Sequence, residues 1–316
     1  MTDRIGLITP GCLSGCWGGK YHYFEPFIGC AHDCVYCYAK HRTDVQDELT
    51  RRNKPFNEPS LFIKDKEKFM RLIKKEITTN NVKTLKLSRY TDIFTPPFST
   101  NGISLEILKA LIDTQVERFI ITTKGIPGDD IVDLICDNAN RFSFNTVARP
   151  CTGVKFEYTP ADLDTKLNTA RKMKERGVLT TVHLDPLIPG LDDDPDVLDA
   201  YLSKLSEYGL KRIMFSYLYL HRDMLSALRK LDCELFSVSS LLEKYDKDSV
   251  QLVPNQKETS YMQVKHEIKM KSIKLVANLL NARGFEFVIC GLKSNVFEVS
   301  DLAGSNCKVC NGSFYA

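Results

Sequence analysis

"VERFIITTKGIPGDDIVDLICDNA", residues 116–139, holds a short β-rich run followed by an amphipathic run, and this order recurs along the chain. β-branched and aromatic residues predict a strand in the first run, and apolar residues at helical spacing predict a helix in the second. Further strands are predicted at residues 21–29, 82–90, 141–147, 178–190 and 210–220. Further helices are predicted at residues 65–77, 104–114, 161–177 and 195–209. Ser104 is the expected capping residue of its helix.

Strand and helix alternating in this way predict an α/β fold with a parallel sheet and right-handed crossovers. We expect residues 21–220 to form a partial (β/α)6 TIM-type barrel, and an open doubly wound sheet is the other layout that the pattern allows. Residues 1–20 are expected to form an N-terminal extension, and residues 221–316 a C-terminal extension. In both layouts functional side chains gather at the carboxyl ends of the strands.

Beyond residue 221 the alternation stops. The polar segment at residues 246–260 is predicted to be a mobile loop. Residues 261–284 are predicted to form one long helix, followed by a strand at residues 285–291 and a cysteine-bearing tail.

The composition is that of a globular protein with a large core. The chain has 316 residues, of which 43% are hydrophobic and 26% charged. It shows no apolar run long enough to span a bilayer, and its first residues lack the order of a signal peptide, so we predict a cytoplasmic protein without a membrane partner. The chain contains 11 cysteines, and this odd number in a chain of this length favours metal binding over disulfides.

"GCAHDCVYCYAK", residues 29–40, places Cys30, Cys34 and Cys37 in one loop after a predicted strand. Thiolates are soft metal ligands, and these sulfurs can converge locally. A structural zinc ion needs four ligands, whereas a [4Fe-4S] cluster held by three cysteines leaves one iron open to a substrate or cofactor. The spacing favours the cluster, with zinc as the alternative.

Together with this loop, four other stretches carry a resemblance to a known family. They are "SRYTDIF" (88–94), "TTKG" (122–125), "FEYTPADLDTKL" (156–167) and "LDPLIPGLDDD" (184–194). The chain resembles the radical S-adenosylmethionine (SAM) superfamily and, within it, the spore photoproduct lyase-like group, over roughly residues 21–220. Lys166 stands where the group has arginine, and Gly125 where relatives tend to have serine, so substrate details transfer less well than the cluster chemistry.

The resemblance implies that the open iron binds the amino and carboxylate groups of SAM. One-electron reduction, by a donor of the flavodoxin or ferredoxin type, then yields methionine and a 5'-deoxyadenosyl radical that abstracts hydrogen. Cys30, Cys34 and Cys37 would hold the cluster. Tyr36 would cover the cluster or stack near adenine, unless it serves only core packing.

Several polar residues at strand ends are candidates for SAM contacts. Lys124 could pair with the SAM carboxylate, unless it is an ordinary surface lysine. Ser88, Asp92 and Asn145 lie where contacts to ribose and methionine are expected. His183 and Asp185 are also candidates, and they are expected to face the barrel interior together. A satisfied core histidine is the alternative for His183.

Tyr217 and Tyr219 share one face at the end of the last barrel strand. They are candidates for radical relays or for walls of the substrate pocket. Cys151, in the loop at residues 148–153, could donate a hydrogen atom to a product radical, as a loop cysteine does in the lyase, although its position does not align well. Cys136 and Cys233 are interpreted as packing residues.

The remaining cysteines lie near the chain ends. They are Cys12, Cys16, Cys290, Cys307 and Cys310. The ends of an incomplete barrel can meet over its open edge, so these cysteines could hold an auxiliary iron-sulfur cluster; zinc binding and free thiols are the alternatives.

Two substrate classes are compatible with the radical SAM chemistry that the resemblance implies. Extra cluster cysteines in chain extensions resemble those of radical SAM enzymes that modify ribosomally made peptides, and this favours a peptide or protein substrate, delivered by a partner protein. Damaged or modified nucleic acid is the alternative, and the net charge of only +3 speaks against a large phosphate-binding surface. A binding module merely held together by metals is a third, non-enzymatic reading.

Overall fold

The computed structural model describes residues 5–11, 21–158, 161–251, 260–294, 296 and 307–315. Its strands, in chain order, are β1 (Ile8–Pro10), β2 (His22–Phe24), β3 (Phe27–Ile28), β4 (Ser60–Leu61), β5 (Thr84–Leu87), β6 (Arg118–Thr123), β7 (Phe142–Val147), β8 (Leu179–Leu187), β9 (Arg212–Tyr217), β10 (Tyr245–Gln251), β11 (Ser260–Val264) and β12 (Glu286–Ile289). Eight of them form one sheet in the order β1-β2-β5-β6-β7-β8-β9-β12. Only the β1–β2 pair in this sheet is antiparallel.

Helices connect the parallel strands. They are α1 (Thr43–Arg52), α2 (Lys66–Thr79), α3 (Ile103–Ile112), α4 (Asp129–Cys136), α5 (Leu163–Glu175), α6 (Pro195–Glu207), α7 (Leu225–Arg229), α8 (Val238–Leu242), α9 (His266–Ala282) and α10 (Gly291–Ser294). The predicted alternation and the α/β class are confirmed, with a largely parallel sheet. Among the described residues, none of the helices has the length and apolar character needed to cross a lipid bilayer.

The two faces of the sheet differ in chemistry. In β7 every residue is buried; Phe142 and Phe144 join the main apolar core, whereas Ser143 and Asn145 alternate with them and are polar. Alternation along a strand places the two sets on opposite faces. One face therefore packs against the helices, and the other faces an interior that carries polar groups.

Aspartates begin several of the helices. The Asp65 carboxylate accepts a hydrogen bond from the Lys68 amide at the start of α2, and Asp162 and Asp194 do the same for α5 and α6. The predicted cap at Ser104 is wrong, because α3 is preceded by Gly102. The Ser104 hydroxyl is instead buried at the second residue of the helix and donates to the Ile93 carbonyl at 2.6 Å.

The C-terminal part differs from two expectations. Residues 260–264 are strand β11 rather than the first turns of a long helix, since Tyr261, Met262 and Val264 are buried and the segment pairs with β10. The predicted loop at 246–260 is a strand as far as Gln251, and residues 252–259 lie outside the described residues. The final strand, β12, joins the main sheet in parallel beside β9.

The tail at residues 307–315 packs on the face of the sheet that carries Ser143. Val309 forms a parallel bridge with Ile289 at the end of β12. The Arg212 guanidinium donates to the Phe314 carbonyl at 2.8 Å, and the Ser143 hydroxyl donates to the Tyr315 carbonyl. The aromatic rings of the tail pack with an interior apolar cluster that includes Ile120, Met214 and Val288.

One buried ion pair joins the loops that follow β7 and β8. The Arg149 guanidinium donates to both Asp192 carboxylate oxygens at 2.8–3.0 Å, and the Ile188 amide donates to the same carboxylate at 2.7 Å. Asp192 is fully buried, and Arg149 also lies 4.5 Å over the Phe156 ring. Removal of one partner would leave an unpaired charge in the interior.

We predict that Asp192→Asn lowers the free energy of unfolding by about 3–5 kcal/mol, because Arg149 keeps its buried charge and loses its hydrogen-bonded ion-pair partner. Urea denaturation followed by circular dichroism measures this. Asp164→Asn is the matched control, since Asp164 pairs with Lys204 on the surface, and it should cost far less. Equal decreases in the free energy of unfolding in the two variants would show that the buried ion pair stabilises the fold no more than the surface pair does.

Candidate active site

A cavity of about 240 Å³ lies at the carboxyl ends of the parallel strands. Ser88, Lys124, Asp185 and Leu218, from the ends of β5, β6, β8 and β9, line it, as does Cys290 after β12. This is the edge of the sheet at which the sequence predicted the functional side chains.

The cysteine loop forms one wall of the cavity. Cys30, Cys34 and Cys37 all line it; the first two are buried and the third is half-buried. The Cys30 amide donates to the Phe56 carbonyl at 2.7 Å. Gly29, directly before, has φ +85°, and a Cβ there would lie 2.5 Å from the Phe56 carbonyl oxygen, so only glycine fits.

The Asp92 carboxylate fastens this loop to the sheet. It accepts hydrogen bonds from the Phe94 amide at 2.9 Å, the Thr123 hydroxyl at 2.7 Å and the Lys124 amide at 2.7 Å. The His32 ring, inside the cysteine loop, lies 3.1 Å away. Burial acts to raise the pKa of Asp92, but His32 and these hydrogen bonds outweigh it and hold the pKa well below its usual range. Asp92 lines the cavity, and its oxygens accept hydrogen bonds from the protein, so its contact with SAM stays a prediction.

Glu25 organises the next loop, and the sequence analysis missed it. Its buried carboxylate accepts hydrogen bonds from the amides of Arg89 and Tyr90 and from the Thr91 hydroxyl. Burial raises its pKa to about 7, although the two amide bonds act in the opposite direction. The sequence does contain a pattern from which a buried carboxylate could have been predicted, namely a single acidic residue inside the apolar run "YFEPFIG" (23–29).

Lys124 and Tyr36 lie together beside the cysteines. The Lys124 ammonium is 5.5 Å from the centre of the Tyr36 ring, whose hydroxyl donates to the Glu157 carboxylate. Burial acts to lower the pKa of Lys124, but Cys34 in its thiolate form and the carboxylates of Glu157 and Asp185 raise it overall, so the ammonium form is favoured. Lys124 is therefore a retained cation in the cavity wall rather than a surface lysine.

Asp185 and His183 also line the cavity, as alternation predicted. The Ser216 hydroxyl donates to Asp185 at 2.7 Å, and the Lys293 ammonium pairs with the same carboxylate. Burial acts to raise the pKa of Asp185, but Lys293 lowers it to about 2. The His183 ring packs 5.4 Å from the Tyr315 ring, and burial lowers its pKa to about 3, which keeps the imidazole neutral.

Two further candidates have different surroundings. The Ser88 hydroxyl lines the cavity and has no hydrogen-bond partner in the described part of the chain. Asn145 is buried, and its amide group donates to the Ile121 carbonyl at 2.8 Å. Asn145 is not among the residues that line the cavity.

Tyr217 and Tyr219 line the cavity, whereas Cys151 does not. The hydroxyl groups of the two tyrosines donate to the backbone carbonyls of Lys269 and Leu292, at 3.4 and 3.0 Å. Both rings are buried, an arrangement that suits walls of a pocket. Cys151 is exposed.

The structure separates the terminal cysteines into two sets. The parallel bridge between Ile289 and Val309 places Cys290 and Cys310 side by side, and both line the cavity. Cys307 packs instead into the main core. Cys12 and Cys16 lie outside the described residues.

Cys136 is buried, with its sulfur 3.7 Å from the Met173 sulfur, so its packing role is confirmed. The packing role predicted for Cys233 is wrong. Its side chain is exposed, because its backbone closes a tight turn with Phe236 and only the Phe236 ring turns inward.

The donors in the cysteine loop fit an iron-sulfur cluster better than a single ion. Among the described residues, the one group of three His, Cys, Asp or Glu donors within 4.8 Å of one another is His41, His221 and Asp223, so at least one pair of the Cys30, Cys34 and Cys37 sulfurs is farther apart than 4.8 Å. A tetrahedral zinc ion with bonds of about 2.3 Å would hold its sulfurs about 3.8 Å apart. A cluster with one cysteine on each of three irons tolerates the wider spacing.

No family model and no curated protein matches the sequence. Solved structures do match. Spore photoproduct lyase complexed with dinucleoside spore photoproduct is 13% identical, with a TM-score of 0.62 over 85% of this chain and 75% of that chain. A variant of the same lyase with bound AdoMet and dinucleoside spore photoproduct is 13% identical, with a TM-score of 0.61 over 87% and 78% of the two chains.

A third match is SuiB of Streptococcus suis bound to precursor peptide SuiA, which is 11% identical, with a TM-score of 0.50. It covers 84% of this chain and 48% of that chain. At these identities the likeness establishes a shared fold. The predicted resemblance to the spore photoproduct lyase-like group is confirmed at that level.

We predict that replacing Glu25 changes how stability depends on pH. Because its pKa is about 7 in the folded protein against 4.5 ordinarily, the folded state binds the proton more tightly, and this contribution to the free energy of unfolding falls as pH rises from about 4.5 to 7. Glu25→Gln should therefore gain stability relative to the unchanged protein between pH 5 and pH 8, on the order of 3 kcal/mol.

Urea denaturation at a series of pH values measures the difference. Glu117→Gln is the control, because Glu117 is exposed and pairs with Lys83 on the surface. Stability curves of Glu25→Gln that run parallel to those of the unchanged protein across this interval would contradict the prediction.

Proposed function

We propose that this protein is a radical SAM enzyme, with a [4Fe-4S] cluster held by Cys30, Cys34 and Cys37 and SAM bound in the adjoining cavity. The observation that carries the proposal is the convergence of these thiols with a half-buried lysine, Lys124, at the carboxyl edge of a parallel sheet. The cluster and SAM would supply reductive cleavage of the SAM carbon–sulfur bond and hydrogen abstraction from the substrate. An electron donor of the flavodoxin or ferredoxin type would serve it.

The strand ends that surround one cavity support a finer description of the fold. We propose that residues 21–220 curve into a partial (β/α)6 barrel around this cavity, with residues 221–316 as a C-terminal extension and residues 1–20 as an N-terminal one. The extension contributes Cys290, Lys293 and Tyr315 to the cavity lining.

The protein's own groups would bind and orient the cofactor. Lys124 would pair with the SAM carboxylate, because its cationic form is favoured and its ammonium lies in the wall that holds Cys34. The Ser88 hydroxyl would donate to a polar group of the ligand, since it has no partner elsewhere in the described residues. Asp92 is assigned to positioning, because the bonds to its oxygens connect the cysteine loop to β5 and β6.

Other predicted residues receive narrower roles. Tyr36, held through Glu157, would form the wall between Lys124 and the cysteines, and Tyr217 and Tyr219 would exclude water from the other side. Cys151 is not assigned a role in the reaction, because it is exposed and outside the cavity lining.

An auxiliary metal site would involve the two cavity cysteines of the C-terminal extension. Cys290 and Cys310 are neighbours in register and face the same space, which suits two ligands of one centre. Cys12 and Cys16 are candidates for the remaining ligands, whereas Cys307 packs in the main core.

The substrate of first choice is a peptide or protein. The auxiliary thiols inside the cavity favour it, as does the fold shared with SuiB, a protein whose structure is known with precursor peptide SuiA. A partner protein would deliver this substrate to the open side of the cavity.

A specific observation favours nucleic acid as the second candidate. Arg89 lies between two aromatic rings of the cavity lining, 5.3 Å from the Tyr23 ring centre and 4.9 Å from that of Tyr90, with Lys86 close to Tyr23. Cations interleaved with aromatic rings suit phosphates and unstacked bases. The lyase of the same fold is known with dinucleoside spore photoproduct.

We predict that Cys34→Ala abolishes deoxyadenosine formation from SAM and lowers the iron content by about four atoms per chain. Cys310→Ala should retain deoxyadenosine formation and lose only the auxiliary metal. Iron analysis and chromatography after anaerobic reconstitution and dithionite reduction measure both quantities. Cys136→Ala, which removes a buried thiol outside the cavity, should match the unchanged protein. Deoxyadenosine formation by Cys34→Ala would refute the cluster assignment.

For the nucleic-acid candidate, we predict that UV-irradiated oligothymidylate binds in a salt-dependent manner and that Arg89→Ala weakens binding at least about fivefold, through loss of a phosphate or base contact. Fluorescence anisotropy at two salt concentrations measures this. Lys109→Ala, on the exposed face of α3, is the control. Failure of the unchanged protein to bind would leave the peptide as the substrate class.

A further inference from the structure

A second group of metal-type donors lies outside the cavity. Donor atoms of His41, His221 and Asp223 all lie within 4.8 Å of one another. His41 ends the short 3₁₀ helix Tyr38–His41, which begins directly after Cys37. His221 and Asp223 belong to the segment that follows β9, where Arg222–Met224 forms another 3₁₀ helix. The group therefore joins the cysteine loop to a segment far away in the sequence.

The distance between His221 and Asp223 matches that of two ligands on one ion. The Asp223 carboxylate oxygen Oδ2 lies 3.5 Å from His221 Nδ1, close to the roughly 3.3 Å edge of a tetrahedron with metal–ligand bonds of 2.0–2.1 Å. The Asp223 amide donates to the same Nδ1 at 3.2 Å, which makes Nδ1 the unprotonated ring nitrogen, and an ion bound there would take the place of this hydrogen bond. The His41 and His221 ring centres are 5.2 Å apart.

The charges around this group suit a divalent cation. Burial and the neighbouring His221 lower the pKa of His41 to about 4, with Lys40 acting in the same direction and Asp223 in the opposite one. Burial also lowers the pKa of His221, against the influence of Asp223. Both imidazoles are thus neutral near pH 7, which is the form that binds metals.

The group borders an open surface depression of about 580 Å³. His41 and Asp223 line this depression, together with Gln46 and Asn57, whose side-chain oxygens are further possible ligands. Lys40 also lines it, and its charge is paired with Asp33. His41 and His221 are half-buried and Asp223 is exposed, so the side chains have room to close around an ion.

We propose that His41, His221 and Asp223 bind one divalent transition-metal ion of the zinc class, with water in the remaining position. Two imidazoles and one carboxylate are donors that zinc accepts in proteins. The ion would fasten the 3₁₀ helix behind the cysteine loop to the end of β9. Since this site contains no cysteine, it is distinct from the iron-sulfur site and from the auxiliary thiols.

Zinc binding to the cluster-reconstituted protein tests the proposal. We expect isothermal titration calorimetry to show one zinc site. The X-ray absorption spectrum of the bound zinc should fit bonds of about 2.0–2.1 Å to nitrogen and oxygen, without the bonds of about 2.3 Å that sulfur ligands give. His41→Ala and His221→Ala should each weaken zinc binding by more than about 100-fold. That is the upper limit of the loss expected when a residue only supports a metal ligand through a hydrogen bond. His266→Ala, an exposed histidine at the start of α9, should bind zinc unchanged.

Circular dichroism and cluster absorbance establish that each variant is folded. A second measurement, the rise in melting temperature on adding zinc, should be seen in the unchanged protein and in His266→Ala but be lost in the other two variants. No zinc binding by the unchanged protein, a sulfur-only coordination shell, or equal affinity in all variants would overturn the proposal. None of these readouts depends on SAM cleavage.

Discussion

The Asp92 carboxylate is the contact on which the arrangement of the cavity depends. It is buried, and it accepts hydrogen bonds from the loop after β5 and from both the side chain and the backbone at the end of β6. Through His32 it also holds the loop that carries the cysteines. A buried carboxylate is costly unless such donors surround it, so these contacts favour the observed mutual position of the three segments. The placement of the thiols is therefore tied to the ends of the central strands.

Other buried carboxyl groups near the cavity connect neighbouring segments in the same way. Glu25 accepts backbone hydrogen bonds from the loop after β5, Asp192 holds the loop after β8 to Arg149, and Asp185 joins β9 to the C-terminal extension through Lys293. In each case a buried carboxyl group accepts hydrogen bonds that connect separate segments at the ends of the parallel strands. The lining groups are held in place by the protein before any ligand arrives. Such preorganisation lowers the cost of orienting a cofactor and a substrate.

The sequence predicted the parts of this molecule that follow from local pattern. Alternating strand and helix periods predicted the order of the elements along the chain. The spacing of Cys30, Cys34 and Cys37 predicted a metal-binding loop, and the structure places these cysteines on the cavity lining. Residues 261–264 were missed as a strand because apolar residues there run into the pattern of α9, and only pairing with β10 distinguishes the two. Glu157 and Arg149 were missed because their contacts with Tyr36 and Asp192 join residues distant in sequence. Contacts of this kind depend on tertiary structure, and no local period reports them.

The position of the C-terminal tail limits what Cys290 and Cys310 can do. The tail packs Phe314 and Tyr315 into the apolar cluster that includes Ile120 and Met214. It also places Cys310 beside Cys290 on the cavity lining. A thiolate that ligates a metal has lost its proton, so it cannot also donate a hydrogen atom to a substrate radical. Metal ligation and hydrogen donation are thus exclusive roles for this pair. Burial raises the pKa of both thiols, which disfavours a bare thiolate and makes ligation depend on the charge of the ion itself.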